Sequence, residues 1–125
     1  MDSDVKKTIF YVDQNGDSPV ENFLECLDES ARAKIIARIE FLGKYWREVR
    51  RPLVDYLEKG LYELRVQFAS DKVRVIYAYM FREYIVLLHG IIKRTAKVPE
   101  QDKIIARQRR HDFEERVREG RVKLP

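Results

Sequence analysis

The chain has 125 residues, of which 45% are hydrophobic and 37% charged, enough for a single domain over residues 1–125 with a modest core. This composition excludes a disordered chain, and no apolar run approaches the roughly 20 residues that a membrane helix needs. The N-terminal residues are acidic and lack the apolar segment of a secretion signal, so we expect a cytoplasmic protein. One cysteine, Cys26, excludes internal disulfides, and its apolar helical surroundings predict a buried thiol. With only two histidines we expect no metal and no cofactor.

The net charge of +4 is unevenly distributed along the chain. Residues 1–90 hold 14 basic and 15 acidic side chains, whereas residues 91–125 hold 11 and 6. An anionic partner would be attracted first to the last third of the chain. A solvated, charge-rich helix would give the same counts, so composition alone leaves both interpretations open.

The N-terminal part predicts a strand followed by two helices. Residues 6–12 are rich in β-branched and aromatic residues, which favours a strand. Ser18, Pro19 and Glu21 predict a helix start, with Ser18 as the cap and Glu21 completing a capping box. A second helix, capped by Ser30, would bury a stripe at helical spacing, and we expect the two helices to be antiparallel within residues 18–47. The stripe consists of Ile35, Ile39, Leu42 and Trp46.

Three strands and a last helix follow. Residues 61–68, 72–79 and 84–92 are joined by short turns, which predicts an antiparallel β-meander. The third of these strands is apolar on both faces, so we expect it to be central and covered. A helix is predicted from Pro99 to about Arg118, and its thin apolar stripe suggests that it packs weakly or along an edge. The predicted fold class is therefore α+β, in the order β-α-α-β-β-β-α.

Cationic side chains recur on the three meander strands. Arg65 and Arg74 lie on neighbouring strands, and Lys93, Arg94 and Lys97 follow at the end of the third. Neighbouring strands lie about 5 Å apart, so these side chains can converge on one accessible surface. Each charge alone is typical of an ordinary solvated surface. The set on three adjacent strands, leading into a basic helix, favours a functional surface.

The histidines are less informative. His89 shares its strand parity with Leu87 and Ile91, which favours a core histidine with a hydrogen-bond partner. The adjacent Gly90 would let a ligand or another backbone approach. His111 lies among charges in the last helix, as a surface histidine would. The nucleotide-cofactor, phosphate-loop, zinc-protease and nucleophile-elbow motifs are all absent.

The meander resembles a known family. The segments GLYELRV (60–66), VRVIY (73–77) and IVLLHGIIKRTAKVP (85–99) are similar to the HigB-like, phage-derived branch of the RelE/ParE toxin superfamily. That branch typically reads G-L-x-E-L-R, R-x-x-Y and L-L-H-G-F-x-K-K-T-x-K-x-P, followed by a helix with A-x-x-R. The similarity is close from about residue 60 to residue 110, and the N-terminal elements agree in layout only.

The resemblance implies a curved antiparallel sheet backed by the two N-terminal helices. It also implies a cognate helix-turn-helix antitoxin as a partner, and a ribosome-dependent endoribonuclease, an mRNA interferase of a type II toxin–antitoxin system that cuts mRNA in the ribosomal A site. ParE-like relatives instead inhibit DNA gyrase without catalysis, and a non-enzymatic nucleic-acid-binding module is a third alternative.

The resemblance also implies roles for individual residues. Cleavage by attack of the ribose 2′-hydroxyl needs a proton removed, a charged phosphorane stabilised and the leaving oxygen protonated. Arg65 and Arg74 match the cations that face the scissile phosphate. Lys93, Arg94 and Lys97 match the basic segment that follows the last strand, and Lys93 and Arg94 are expected to be catalytic. His111, Lys93 or Lys97 would carry protons, the lysines only if neighbouring cations lower their pKa. The expected RNA-binding residues are Lys97, Arg107 and Arg110.

Overall fold

The structure is a computed structural model that describes residues 4–125. It confirms the α+β class, with a five-stranded mixed sheet and helices on both faces. The predicted order of elements lacks one strand, β2. The elements in chain order are β1 (Lys7–Phe10), α1 (Pro19–Glu25), α2 (Glu29–Tyr45), β2 (Val54–Glu58), β3 (Leu61–Phe68), β4 (Asp71–Met80), β5 (Tyr84–Lys93) and α3 (Glu100–Arg118).

The strands lie in the order β1-β5-β4-β3-β2. The pairings within β2 to β5 are antiparallel, as the short turns predict, whereas β1 runs parallel to β5. The strand β5 therefore lies inside the sheet, which confirms its interpretation as a covered strand. The extra strand β2 was missed because it is a short edge strand without a clean alternation. Its Tyr56 is 59% exposed.

The two faces of the sheet carry separate apolar cores. On one face, α1 and α2 pack through Val20, Leu24, Ile35 and Leu42 against alternate residues of β3, β4 and β5. On the other, Ala106 and Phe113 of α3 are buried against β4 and β5. Of the two expectations for α3, packing along an edge is therefore wrong. Its thin apolar stripe is supplemented by buried polar contacts, which the apolar pattern alone does not reveal.

The helix starts differ in detail from the predictions. Pro19 does begin α1, but the Ser18 side chain makes no capping hydrogen bond. The cap of α2 is Asp28, which accepts a hydrogen bond of 2.9 Å from the Ser30 backbone amide, so the prediction of Ser30 as cap was wrong. Cys26 ends α1 and is exposed, which corrects the expectation of a buried thiol. No helix in the described range 4–125 is long and apolar enough to cross a membrane.

Candidate nucleic-acid interface

Arg65 and Arg74 lie directly opposite each other. The antiparallel register of β3 and β4 pairs their Cα atoms, so both side chains leave the same face of the sheet. Directly opposed residues in such a pair have Cβ atoms about 5 Å apart. Two like charges at that separation repel unless a carboxylate lies near them, and Glu63, two residues before Arg65, is on the same face.

Glu63 forms an ion pair with Arg74 inside the protein. The distance from Arg74 Nε to Glu63 Oε1 is 3.0 Å, and the two side chains are only 5% and 11% exposed. Arg74 also donates a hydrogen bond of 3.0 Å from Nη1 to the Val73 carbonyl. The prediction that Arg74 is accessible was therefore wrong, because this ion pair holds its side chain in a buried position.

Arg65 is the accessible member of the pair. Its side chain is 32% exposed, and its nearest carboxylate partner is Asp55 of β2, with Nη1 at 4.0 Å from Oδ2. Burial and the charge of Arg65 lower the pKa of Arg74 from its usual value, while Glu63 opposes that shift. Arg65 can therefore contact an anionic ligand directly, whereas the buried Arg74 adds a positive charge next to it without being exposed.

Two lysines extend this surface towards β5. Lys72 and Lys93 are paired across β4 and β5, and Lys72 has the same strand parity as Arg74. Lys93 donates a hydrogen bond of 3.1 Å to the Ala96 carbonyl. Burial lowers the pKa of Lys93, and Arg74, Arg65 and Lys72 lower it further, against the opposing effect of Glu63. We call these four residues the cation cluster: Arg65, Lys72, Arg74 and Lys93.

The other predicted residues of the basic segment stand apart from these contacts. Arg94 and Lys97 are exposed in the connection from β5 to α3. Among residues 4–125 neither forms an ion pair, so both remain available to an anionic ligand. The structure gives no polar contact between them and the two arginines.

The predicted residues of α3 are placed differently. Arg107 is held by two carboxylates, with Nε 2.7 Å from Glu58 and Nη2 2.6 Å from Glu100. Arg110 lies over the β2–β3 turn, where a Cβ on Gly60 would approach its Nη1 to 2.8 Å. His111 is exposed, and none of the polar contacts of the cation cluster involves it. Most of the basic side chains of α3 therefore contact groups of the protein itself.

His89 links β5 to α3. A β-bulge between β4 and β5 makes His89 face α3 while Leu87 faces the opposite core, so the expectation that the two share a face was wrong. Its Nε2 lies 2.7 Å from Asp102 Oδ1, and its Nδ1 lies 3.0 Å from Arg109 Nη1. Arginine can only donate, so Nδ1 accepts and the proton on Nε2 is donated to Asp102. Burial lowers the pKa of His89, which suits this neutral form. The core-histidine interpretation is thus confirmed.

Gly90, next to this histidine, faces the other side of the sheet, where α1 packs. A Cβ there would lie 2.4 Å from Cδ2 of the Phe23 ring in α1. The close approach that glycine allows here is that of a core aromatic ring, and not that of a ligand or another backbone.

The C-terminal half of α3 is fixed by a second polar network, around Asp112. Tyr11 donates a hydrogen bond of 2.6 Å to Asp112, and Arg116 forms an ion pair of 2.9 Å with the same carboxylate. Hydrogen bonding to Arg116 lowers the pKa of Asp112 to about 2. Burial, together with Asp112, raises the pKa of Tyr11 to about 12. Arg116 also donates to the Val12 carbonyl, so this network ties α3 to the end of β1.

Sequence reasoning missed the roles of Glu63 and Lys72. Glu63 was recognised only as one of the polar residues of its strand, and Lys72 was not singled out. The available signal was their parity: Glu63 and Arg65 share one face of β3, and Lys72 and Arg74 share the same face of β4. Within residues 4–125, no three His, Cys, Asp or Glu side chains are close enough together to hold a metal ion.

Fold and site together define a small α+β protein whose mixed sheet presents a cation cluster beside a C-terminal helix. A family model described as "phage derived protein Gp49-like (DUF891)" matches residues 22–111. The chain belongs to this family, which is associated with toxin-like proteins of the RelE kind. No curated protein matches the chain significantly.

Proposed function

We propose that this chain is the toxin of a type II toxin–antitoxin system, a ribosome-dependent mRNA endoribonuclease. The observation that carries the proposal is the cross-strand pair Arg65 and Arg74. It is extended by Lys72, on the same strand as Arg74, and by Lys93, which is paired with Lys72 on β5. The family assignment supports a toxin-like role, and the segments of the meander resemble the HigB-like branch of the RelE/ParE superfamily.

The cluster has the chemistry for cleavage by the ribose 2′-hydroxyl. Attack on phosphorus produces a phosphorane with extra negative charge, which guanidinium groups stabilise through paired hydrogen bonds. Arg65 is the donor that reaches the phosphate, and Arg74, held by Glu63, adds a fixed positive charge next to it. No step of this mechanism needs a metal ion or a cofactor.

Lys93 is the proton carrier in this proposal. Its pKa is lowered by burial and by the neighbouring cations, which brings proton transfer closer to neutral pH. In its neutral form, a lysine beside Arg65 and Arg74 is suited to accept the proton of the attacking 2′-hydroxyl, and as the resulting ammonium it can return that proton to the leaving 5′-oxygen. His111 and Lys97, the other two candidates, are exposed and take no part in the polar contacts of the cluster.

The remaining predicted residues act in binding. Arg94 and Lys97 are exposed cations beside the end of β5, suited to phosphates of mRNA or ribosomal RNA. Arg107 and Arg110 would contribute less, because the Arg107 guanidinium is engaged by Glu58 and Glu100 and Arg110 packs on the Gly60 turn. The regulatory partner would be a helix-turn-helix antitoxin.

Expression of the gene without its partner tests the proposal. We expect rapid growth arrest in which incorporation of labelled amino acids stops before DNA synthesis. The variant Arg65→Ala should grow normally, while Arg118→Ala, an exposed arginine on α3, should arrest growth like the wild type. Normal growth with soluble wild-type protein would contradict any toxin function. DNA synthesis stopping first would favour inhibition of gyrase instead.

A further inference from the structure

An open cleft of about 460 Å³ lies beside the cation cluster, between α2, the segment that precedes β2, and β3. A cleft of this volume is large enough for a small ligand. The proposed cleavage chemistry uses Arg65 and Arg74 of its lining, but none of the residues that α2 contributes. The residues that matter here are Lys34, Arg38, Phe41, Leu53, Arg65 and Arg74.

One stripe of α2 supplies cations to this cleft. Lys34, Arg38 and Phe41 are spaced by four and three residues, so they line one side of the helix. Neither Lys34 nor Arg38 forms an ion pair with any of the residues 4–125, although the Lys34 ammonium donates to the Gln67 carbonyl. No carboxylate lines the cleft. Its electrostatics therefore select an anionic ligand.

An exposed aromatic ring lies next to these cations. Phe41 is 44% exposed, and its ring centroid is 4.7 Å from that of Tyr45, which is 47% exposed. Leaving two large rings in solvent is unfavourable unless a ligand covers them. An aromatic platform beside cations is the arrangement with which proteins bind single-stranded nucleic acid, through base stacking and phosphate contacts.

The cleft is continuous with the cation cluster, since Arg65 and Arg74 belong to both. We propose that it binds one nucleotide of the RNA strand, with the base against Phe41 and the phosphate on Arg38 and Lys34. This subsite rests on the proposed function, because the nucleotide that it binds belongs to the same RNA strand that the cation cluster holds for cleavage. An acidic peptide would use the cations but would leave the Phe41 ring without a flat partner.

Fluorescence of the variant Phe41→Trp tests base stacking directly. The probe is a hexamer of oligoadenylate, and the control is an abasic hexamer of the same length and charge. We expect the adenylate hexamer to quench the added tryptophan, while the abasic hexamer does not. The wild type, titrated in parallel, accounts for the signal of Trp46. Equal responses to both hexamers, or no quenching at all, would overturn the subsite.

Affinities of truncation variants give a second measurement. Loss of one stacking contact costs roughly 5- to 100-fold in affinity, so Phe41→Ala should weaken binding of the adenylate hexamer by that factor. Arg38→Ala should weaken both hexamers alike. Lys44→Ala removes an exposed cation of α2 outside this cleft and should leave both affinities unchanged. Unchanged affinity of Phe41→Ala, or displacement of RNA by a polyglutamate peptide as effectively as by RNA, would overturn the proposal.

Different results would contradict the subsite and the cleavage activity. These titrations use free oligonucleotides and no ribosome, so they report on the cleft whether or not the protein cleaves mRNA. Cleavage by the wild type without quenching in Phe41→Trp would overturn the subsite alone. Quenching without any ribosome-dependent cleavage would support the subsite and contradict the endoribonuclease.

Discussion

Glu63 and Arg74 form an ion pair of 3.0 Å on the same sheet face as Arg65, with side chains only 11% and 5% exposed. The carboxylate offsets the repulsion between two directly opposed arginines and holds one of them in place. In the proposed mechanism Glu63 is therefore a positioning residue, which acts through Arg74 and not on the RNA. A buried charge that loses its partner is costly, so this pair should affect both the stability and the site.

Removal of Arg74 should destabilise the fold. In Arg74→Ala, Glu63 is left buried without its partner, and the free energy of unfolding should fall by about 3 kcal/mol. Arg65→Ala, whose carboxylate partner is 4.0 Å away and near the surface, should cost less than about 1 kcal/mol. Urea unfolding at neutral pH measures both values.

The double variant Glu63→Met/Arg74→Met isolates the ion pair. Replacement of both charges by apolar chains of similar length should restore most of the stability that Arg74→Ala loses. If Arg74→Ala unfolds at the same urea concentration as the wild type, the ion pair contributes nothing and the positioning role of Glu63 is wrong.

The strands of the meander were predictable because their alternation and their short turns are local signals. Convergence of Arg65 and Arg74 on one surface followed from the adjacency of their two predicted strands. The burial of Arg74 did not, because it depends on which carboxylate lies diagonally across the strand pair. That register is a property of the paired strands and cannot be read from either segment by itself.

Other differences have similar physical causes. The bulge that turns His89 towards α3 inserts one residue into the regular alternation of β5. The sequences of the two paired strands contain no signal that predicts this bulge. The strand β2 is short and lies at an edge of the sheet. Its residues are only partly buried, so they show no clear alternation of apolar and polar side chains. Parallel pairing of β1 with β5 joins segments that are more than 70 residues apart. The cleft by Phe41 could not be predicted from the sequence, because it forms between segments that are distant in the chain.

The lowered pKa of Lys93 should depend on its cross-strand neighbour. Lys72 is exposed, so Lys72→Ala should preserve the fold while removing one nearby positive charge. Because positive neighbours disfavour protonation, the pKa of Lys93 should rise towards its ordinary value of 10.5. The chemical shift of the Lys93 Cε carbon, followed against pH, measures the change. Lys44→Ala is the matched control, and an equal pKa in Lys72→Ala and the wild type would contradict the clustering of these charges.

Acid should weaken the attachment of α3 to β1. The folded-state pKa of Asp112, about 2, lies below its ordinary value of 3.8, so its stabilisation is complete above about pH 4 and is lost as pH falls through 2. Asp112→Asn should therefore cost about 2 kcal/mol at neutral pH, and the difference from wild type should shrink between pH 4 and pH 2. Urea unfolding across this range measures it.

Glu114→Gln is the control for this comparison. Its partner, Arg118, lies 3.4 Å away and is 65% exposed, so the substitution should cost little at any pH. A deficit of Asp112→Asn that stays constant from neutral pH to pH 2 would contradict the ionic origin of this attachment.

Cleavage of a defined mRNA by purified protein tests the central claim most directly. Ribosomes stalled with an empty A site are incubated with wild type, Arg65→Ala or Arg118→Ala, and the RNA ends are mapped and analysed chemically. We expect cleavage within the A-site codon only when ribosomes are present, leaving a 2′,3′-cyclic phosphate. Arg65→Ala should be slower by about 10²- to 10³-fold, and Arg118→Ala should match the wild type. Intact mRNA with folded wild-type protein, or equal rates for Arg65→Ala and the wild type, would contradict the account.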